Sequence, residues 1–303
     1  MTQLDYVVVD PPNVLPMDVA LHRAAEHFNI EITLTGGSGF GWSRYSTLQA
    51  CPYRYYLRYV RKTSVLPDNA RKPKALEIGG GFHAFMALYY QRIVEIEKGI
   101  PADALTADPG VVCDFILDAG ADAALVNEAW RLFDAYANYY EMIDDYIKPL
   151  AVEHWIKDPN GPGTARIDLL AAVREGGALK VLPGTYIVEH KSAARLDEAT
   201  TEGWHLDGEI LGLIDLYKRA RLAQRFGKLQ GVIVNIVTKT KIPGFHREIV
   251  APPDSQARRQ HKDLKTWNAT LGLYKATNTW PRALNSCWGR YGACDYVAHC
   301  RGD

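Results

Sequence analysis

The sequence has little of what would place a protein in or across a membrane. No stretch approaches the roughly 18 consecutive apolar residues that a membrane-spanning helix needs. The first residues, MTQLDYVVVDPPNVLP, lack the basic start and long apolar core of a secretory signal. We therefore expect a cytoplasmic protein with no membrane partner. In that compartment disulfides are rare, so clustering among its five cysteines indicates metal or redox chemistry.

The chain also lacks a net charge, because 35 basic residues balance 35 acidic ones. The total therefore neither favours nor excludes a nucleic-acid partner. The distribution is uneven: residues 44–74 contain eight Lys or Arg and one acid, Asp68. Such a segment is typical either of a phosphate-binding face or of an ordinary solvated helix face.

Hydrophobic periodicity predicts a mixed α/β core. Strands are expected over 165–173, 184–192 and 231–240, and the segment VVVD (7–10) fits a further strand. Helices are expected over 52–62, 82–98, 123–147, 204–226 and 254–276. Adjacent strands with helices before and after them predict a mixed central sheet that is covered by helices on both faces.

The two central strands carry residues suited to phosphodiester hydrolysis. Asp168 ends the segment ARID, and Glu189 and Lys191 belong to EHK. Residues i and i+2 of a strand share a face, so Glu189 and Lys191 project together, and Asp168 joins them if the strands pair. Two carboxylates and an ammonium in one place favour a bound divalent cation. A surface strand also often carries Glu and Lys two residues apart, so this pattern alone leaves a structural role open.

Cys51 lies far from Cys287, Cys294 and Cys300, which fall within fourteen residues of one another. Four thiolates in a cytosolic chain fit either an iron–sulfur cluster or structural zinc. Zinc ribbons usually use paired C-x2-C knuckles, which this sequence lacks. Four unrelated buried thiols are the alternative. Cys113 is left over and is expected to be a buried structural residue.

The segments GGGFH, ARIDLL and YIVEHKS, in this order, resemble the motifs of the PD-(D/E)XK nuclease superfamily, most closely its RecB-like branch. The resemblance implies a restriction-endonuclease-like α/β fold. It implies that His83, Asp168, Glu189 and the main chain of His190 bind Mg²⁺ or Mn²⁺. It further implies that Lys191 assists hydrolysis and that Asp168 and Glu189 are catalytic.

The segment STLQACPYRYY is similar to the one that supplies the first cluster ligand in phage and CRISPR-associated exonucleases of that branch. The resemblance implies a [4Fe–4S] cluster, or zinc in its place, that joins the two ends of the chain. Its expected ligands are Cys51, Cys287, Cys294 and Cys300.

The resemblance covers residues 43–303 and implies one nuclease domain preceded by an N-terminal extension over 1–42. Within that domain, 84–150 is expected to be a helical insertion and 280–303 the cluster-binding segment.

One motif departs from the branch. Its usual Gln-x-x-x-Tyr helix aligns with Glu209 and Leu213 here, and Tyr217 lies one turn further on. Arg and Tyr side chains around the first cysteine are expected to hold a single strand through charge and stacking. The candidate DNA contacts are Arg44, Tyr53, Arg54, Arg58, Glu209 and Tyr217.

The expected function is metal-dependent exonuclease activity on single-stranded DNA ends, with 5′→3′ as the direction that is commonest in the family. A DNA-binding or adaptor module that keeps the fold without hydrolysis is the alternative, and Glu209 favours it. A redox-sensing iron–sulfur protein is a third interpretation, which leaves the Asp, Glu and Lys set unexplained.

Overall fold

The structure is a computed structural model that describes residues 14–35, 39–63, 73–141, 146–175, 181–289 and 292–302. The strand expected at 7–10 lies outside the described residues. Helices are α1 (Met17–His27), α2 (Trp42–Ala50), α3 (Pro52–Tyr55, continued by a π-helical turn, Tyr56–Val60), α4 (Lys74–Glu97), α5 (Pro109–Asp118), α6 (Ala123–Tyr140), α7 (Glu198–Thr201), α8 (Gly208–Arg219), α9 (Ala223–Phe226), α10 (Asp254–Thr277) and α11 (Val297–Arg301). Strands are β1 (Ile147–Lys157), β2 (Thr164–Val173), β3 (Gly184–Ala193), β4 (Leu229–Thr238), β5 (Phe245–Val250), β6 (Trp288–Gly289) and β7 (Gly292–Ala293).

In the described part of the chain, the main sheet has five strands in the order β1-β2-β3-β4-β5. β3 and β4 are parallel, and α8 lies in the connection between them. The other neighbouring strands are antiparallel. The two strands expected at 165–173 and 184–192 do pair, which meets the condition set for Asp168 to join Glu189 and Lys191, and Leu169 lies opposite Val188.

Apolar side chains cover both faces of this sheet. On one face Phe85 of α4 and Leu132 of α6 pack in one cluster with Leu169 of β2. On the other face Ile214 of α8 packs with Ile236 of β4. Burying each such side chain stabilises the fold by about 1.5–3 kcal/mol. The expected mixed sheet with helices on both faces is confirmed.

Helix α4 begins eight residues earlier than predicted, at Lys74 instead of residue 82. The three glycines 79–81 therefore lie inside the helix, and the expectation that they precede it is wrong. Gly81 is needed for close helix packing, because a Cβ atom there would lie 2.4 Å from Met17 Sδ and 2.8 Å from Ala129 Cβ. Gly81 therefore serves helix–helix contact, although a run of glycines in the sequence resembles the signal for a turn.

Two other predicted helices differ from the structure. The helix expected over 123–147 ends at Tyr140, and Ile147 begins β1, a strand that periodicity missed. The pattern over 204–226 is split into a 3₁₀ turn, α8 and α9. The Asp207 side chain accepts hydrogen bonds from the N–H groups of Glu209 and Ile210, so it caps α8 at that point.

The region after α10 returns to the helices around Cys51. Leu48, Tyr55 and Leu271 form a third apolar cluster, with Trp280 packed against it. The Tyr53 N–H donates to the Pro281 carbonyl at 3.0 Å, and the Ser286 hydroxyl donates to the Ala50 carbonyl at 2.9 Å. Two segments that are distant in sequence thus meet here. Within the described ranges, no helix is both long and apolar enough to cross a bilayer.

Candidate active site

A cavity of about 710 Å³ opens between β2, β3 and the helices α2, α8 and α10. Asp168, Glu189 and Lys191 line it together with His83 and Glu209. Because Leu169 pairs with Val188, the next step of the same antiparallel register puts Asp168 opposite Glu189. The structure therefore brings the Asp, Glu and Lys predicted from the two strands into one cavity.

Lys191 is paired with two carboxylates. Its Nζ atom donates to Glu189 Oε2 and to Glu209 Oε2, each at 3.3 Å. Burial lowers the pKa of Lys191, but the negative charges of Glu189, Glu209 and Asp168 outweigh that effect and raise the pKa above its ordinary value. The side chain is therefore an ammonium at neutral pH and a donor of charge-assisted hydrogen bonds.

Asp168 is surrounded by positive charge and donors. Its Oδ2 atom accepts a hydrogen bond from the His190 backbone N–H at 2.9 Å and lies 3.4 Å from His83 Nδ1. Burial raises the pKa of Asp168, but His83 and Lys191 more than offset this and hold it well below its usual range. Asp168 is thus ionised at neutral pH.

Glu189 is in the opposite electrostatic situation. Burial and the neighbouring Asp168 charge raise its pKa well above the ordinary value, although Lys191 works against them. Among the described residues its Oε1 atom is buried without a hydrogen-bond partner. A buried carboxylate oxygen that faces another carboxylate, and has no donor, suits a cation ligand.

In the described ranges, no group of three or more His, Cys, Asp or Glu side chains surrounds one point as metal ligands do. The donor chemistry of Asp168, Glu189 and His83 nevertheless fits a hard divalent cation, since carboxylate oxygens and imidazole nitrogen all ligate such ions. Side-chain rotation would have to bring these donors to a common point.

The His190 side chain lies on the opposite face of the sheet. Its ring stacks on Tyr90 with centroids 5.6 Å apart, and its Nδ1 atom lies 3.4 Å from Asn235 Nδ2. Burial is the main cause that lowers its pKa to about 3. His190 is therefore neutral, and only its main chain can face the cavity, as the sequence analysis expected.

Tyr217 corrects one expectation from the sequence. Its side chain is 1% exposed, in the cluster beneath β4, and its hydroxyl donates to the Gly227 carbonyl at 2.8 Å. A side chain in that position offers no surface to DNA, so Tyr217 does not remain among the candidate contacts. Glu209, by contrast, lines the cavity.

The remaining candidate DNA contacts lie on α2, α3 and the π-helical turn. Arg44 sits 4.7 Å from the centroid of the Tyr59 ring, and Arg58 is exposed at 5.4 Å from the same ring. Tyr53 is half-buried and stacks on Tyr56 at 6.0 Å. Arg54 is half-buried as well. Cationic and aromatic residues are thus interleaved along this segment, a composition that is common in single-strand binding proteins.

The structure places Cys51 beside the C-terminal segment. Its Sγ atom accepts from the Ala283 N–H at 3.5 Å, and the Cys294 N–H donates to the Cys287 carbonyl at 2.8 Å. Burial, followed by the negative charge of Cys287, Cys51 and Cys294, raises the pKa of Cys300. Among the described residues, however, these thiols do not surround one point as the ligands of a metal ion do.

Cys113 lies apart from them and is 6% exposed in the cluster around α4 and α6. The expected burial of this thiol is thus confirmed, and burial raises its pKa to about 11.

Sequence reasoning missed Arg219, which joins three parts of the cavity wall. This residue at the end of α8 forms ion pairs with Asp158, after β1, and with Asp215, one helical turn back. His261 of α10 lies 3.3 Å from the same Asp215 carboxylate. No local pattern predicts such a network, because its members are 4 to 103 residues apart along the chain.

Trp42 was also missed. Its ring packs so closely on the start of α8 that a Cβ atom at Gly208 would lie 2.0 Å from it. Trp42 lines the cavity together with Glu209 and adds an aromatic surface to it.

Glu153 of β1 and Arg166 of β2 form a further ion pair near the cavity. Glu153 is 7% exposed and has a left-handed backbone conformation, with φ of 48°. Its Oε2 atom lies 2.6 Å from Arg166 Nε, as an ion pair without an aligned hydrogen bond. Burial and Asp168 raise the pKa of Glu153 to about 8, while Arg166 opposes them. Arg166 also lines the cavity.

Comparisons with known proteins bear on the family. The model of the PD-(D/E)XK nuclease superfamily matches residues 40–301. The search of curated proteins gives no significant match. A solved structure from Eubacterium rectale, described as a candidate exonuclease, has a TM-score of 0.46 and 14% sequence identity, over 84% of this chain and 81% of that one. That likeness carries no argument about function. Through the family match, the chain belongs to the PD-(D/E)XK nuclease superfamily.

Proposed function

We propose that the protein is a metal-dependent DNA exonuclease of the RecB-like branch that degrades single-stranded ends, in the 5′→3′ direction. The observation that supports this most is the meeting of Asp168, Glu189 and Lys191 in a cavity of about 710 Å³. A cavity of that size accommodates more than one nucleotide. Membership of a nuclease superfamily supplies the reaction class.

Asp168, Glu189, His83 and the main chain of His190 are the proposed holders of Mg²⁺ or Mn²⁺. The ion, when bound, would polarise the phosphodiester and lower the pKa of a bound water. Asp168 is already ionised beside His83, and Glu189 presents an unpartnered buried oxygen. Lys191 holds its proton, so its role is to orient water and to stabilise the developing negative charge on the phosphate.

Cys51, Cys287, Cys294 and Cys300 are the proposed ligands of a [4Fe–4S] cluster. In such a cluster the four thiolates bind different iron atoms, so their sulfurs are further apart than those around a single zinc ion. The approach of the C-terminal segment to Cys51, through Ala283 and through Ser286, supports a shared site. When bound, the cluster would fasten both segments beside the cavity, much as a disulfide closes a long loop.

The surface formed by Tyr53, Arg54, Arg58 and Arg44 is the proposed track for the single strand. It lies on the α2–α3 segment, whose Trp42 and Tyr45 line the catalytic cavity. A DNA strand whose bases stack on these rings, and whose phosphates pair with these arginines, therefore extends towards Asp168 and Glu189.

Degradation of labelled single strands tests this function. Purified protein with Mn²⁺ is expected to shorten a linear strand from its 5′ end, and Lys191→Ala is expected to be about 100-fold slower. Lys157→Ala is the matched control, since Lys157 is an exposed strand lysine outside the cavity. Equal rates for wild type and Lys191→Ala would remove Lys191 from the mechanism.

A catalytically inactive DNA-binding module is the second candidate. The observation that favours it is the ion pair between Glu209 and Lys191, in which a second carboxylate, besides that of Glu189, contacts the Lys191 ammonium. Tight binding of single strands without cleavage in Mg²⁺ or in Mn²⁺ would support this candidate over the exonuclease.

A further inference from the structure

Helix α10 forms a part of the cavity wall that none of the proposed roles uses. Its lining residues are His261, Leu264, Lys265 and Asn268, and their spacing puts all four on one face of the helix, here called the α10 face. We propose that Lys265, together with Asn268, binds a backbone phosphate of the DNA strand and so positions the strand across the catalytic groups. The inference rests on the nuclease function proposed above and deepens it.

The charges of the cavity lining single out Lys265. The lysines and arginines of this lining are Arg166, Lys191, Arg219 and Lys265. The first three form ion pairs with carboxylates that the structure places beside them. In the part of the chain that the structure describes, Lys265 forms no such pair. Its side chain is exposed, so its ammonium keeps its full charge for an anion that enters the cavity.

Asn268 adds a hydrogen-bond donor one helical turn further on. Its Oδ1 atom accepts from the Tyr45 hydroxyl at 3.1 Å, which holds the amide group at one end. The Nδ2 atom at the other end carries two N–H donors, and no described residue accepts from it. Residues three apart on a helix have Cβ atoms about 5–6 Å apart, so the Lys265 ammonium and this amide can contact the same phosphate.

The cavity needs such a cation because its other ammonium is already shared. Lys191 contacts both Glu189 and Glu209, and Asp168 adds a further negative charge to the same lining. These carboxylates repel the phosphates of a strand wherever no metal ion compensates them. A lysine on a separate helix offsets that repulsion without competing for the proposed metal ligands.

Helix α10 also connects the cavity with the surface proposed to hold the strand. Leu271, which follows Asn268 by three residues, is 4% exposed and packs with Leu48 and Tyr55 of α2 and α3. The helix is therefore fixed against the segment that carries the arginines and tyrosines of that surface. A phosphate contact on the α10 face would join the two parts of the proposed path.

Lys265→Gln and Lys262→Gln test the contact as a matched pair. Both lysines are exposed on α10, but Lys262 lies outside the cavity lining, so the variants lose the same charge at different places. Binding of a labelled single strand is measured in Ca²⁺ over a range of salt concentrations. Lys265→Gln is expected to make the slope of log affinity against log salt shallower by about 0.7, which weakens binding about fivefold at roughly 0.1 M salt. Lys262→Gln is expected to match wild type.

A salt slope of Lys265→Gln equal to that of wild type would overturn the proposal. Equal shifts in both lysine variants would overturn it too, because the effect would then come from net charge rather than from a contact. Circular dichroism checks that both variants fold. The weakening is expected to be the same for an oligo-dT strand and for a strand of mixed sequence, since a phosphate carries no sequence information. A loss confined to one sequence would contradict a phosphate contact.

Asn268→Asp tests the second donor. The substitution keeps an acceptor for the Tyr45 hydroxyl but replaces the N–H donors with a carboxylate oxygen. Binding is expected to weaken about tenfold, because a hydrogen bond to a charged group is lost. Ala269→Asp is the control, since it adds the same charge at an exposed residue of α10 outside the cavity lining. Equal weakening in the two variants would remove Asn268 from the proposed contact.

Cleavage kinetics separate a positioning role from a chemical one. With Mn²⁺, Lys265→Gln is expected to raise KM about fivefold at the same salt and to leave kcat within about twofold, because the contact is the same in substrate and transition state. Lys265→Arg keeps the charge and is expected to restore KM. A fall in kcat without a change in KM would contradict the proposed role.

The binding measurement also distinguishes this inference from the nuclease proposal on which it rests. If wild type binds single strands but cleaves none with any metal, the nuclease proposal fails and the Lys265 contact is still decided by the salt slopes. A wild-type protein that binds no single strand would overturn both.

Discussion

The Lys191 ammonium lies 3.3 Å from a carboxylate oxygen of Glu189, whose side chain is only 4% exposed. Lys191 is the cationic partner of Glu189 in the described part of the chain, and a buried carboxylate that loses such a partner is left uncompensated, which typically costs about 3–5 kcal/mol. Lys191→Met is therefore expected to lower the free energy of unfolding by about 3 kcal/mol in metal-free buffer. Chemical denaturation of the two proteins measures this difference. Added Mn²⁺ is expected to restore part of it, because a cation would then compensate Glu189.

Glu209→Gln removes the charge of the second carboxylate that pairs with Lys191, and its effect on stability is expected to be smaller. Glu209 is 40% exposed, so solvent screens its pair with Lys191 and the loss is expected to be below about 1 kcal/mol. Cleavage is expected to persist, since Lys191 keeps its contact with Glu189. Denaturation curves and strand-cleavage rates test both statements. A loss of stability as large as that of Lys191→Met would show that the partly exposed pair matters as much as the buried one.

Arg219→Met is expected to destabilise the wall of the cavity. The substitution leaves Asp158 and Asp215 without the guanidinium that both contact, and these carboxylates are 13% and 9% exposed. We expect a loss of about 3 kcal/mol in unfolding free energy. Lys218→Met is the control, because its partner Asp254 is 73% exposed and solvent screens the pair, so a much smaller loss is expected. Similar losses in the two variants would contradict this account.

Gly208→Ala tests the packing of Trp42 on α8. The added Cβ atom would lie 2.0 Å from the indole ring, so the ring or the helix must move. The expected cost is about 1–3 kcal/mol. Gly212→Ala in the same helix meets no atom within 4 Å and is expected to stabilise the protein by about 0.5–1 kcal/mol. Thermal unfolding tests both statements, since the Tm is expected to fall in Gly208→Ala and to rise in Gly212→Ala.

The meeting of the candidate catalytic residues could be predicted because it follows from strand geometry. Glu189 and Lys191 share a face through the two-residue period of a strand, and the pairing of β2 with β3 adds Asp168. Each strand contains a short apolar run, LLAAV in β2 and YIV in β3, and turn residues lie between the two strands. The motif order that carries the family resemblance depends on the same strands, so the fold class and the core of the candidate site could be inferred together.

The first strand could not be inferred because its pattern is irregular. Pro149 interrupts it, the register shifts between Pro149 and Ala151, and Glu153 has a left-handed backbone. The alternation of β2 also breaks opposite this point, since Ile167 packs with the α8 cluster and Leu169 with the α4 cluster. The alternation of buried and exposed side chains is therefore lost on both strands. For the same reason the sequence does not reveal Glu153 as a buried neighbour of Asp168.

Helical spacing placed Tyr217 on the correct helix but could not tell which side of that helix faces the cavity. In α8 the residues Leu213 and Leu216 line the cavity, whereas Tyr217 turns into the core. The direction of a helix face depends on contacts with β4 and α10, which are remote in sequence. The same limit applies to Arg219, whose acidic partners lie on a strand connection and on its own helix.

Cys51→Ser tests whether the two ends of the chain share a cluster. After anaerobic reconstitution with iron and sulfide, the variant is expected to lose most of its bound iron, because one of four thiolate ligands is missing. Cys113→Ala is the control and is expected to keep its iron, since Cys113 lies in the helical core away from the other thiols. Iron and sulfide are measured per chain in both proteins. The variant is also expected to expose the segment after Trp280 to protease, because a bound cluster would couple the folding of that segment to metal binding. Iron content equal to wild type in Cys51→Ser would exclude Cys51 as a ligand.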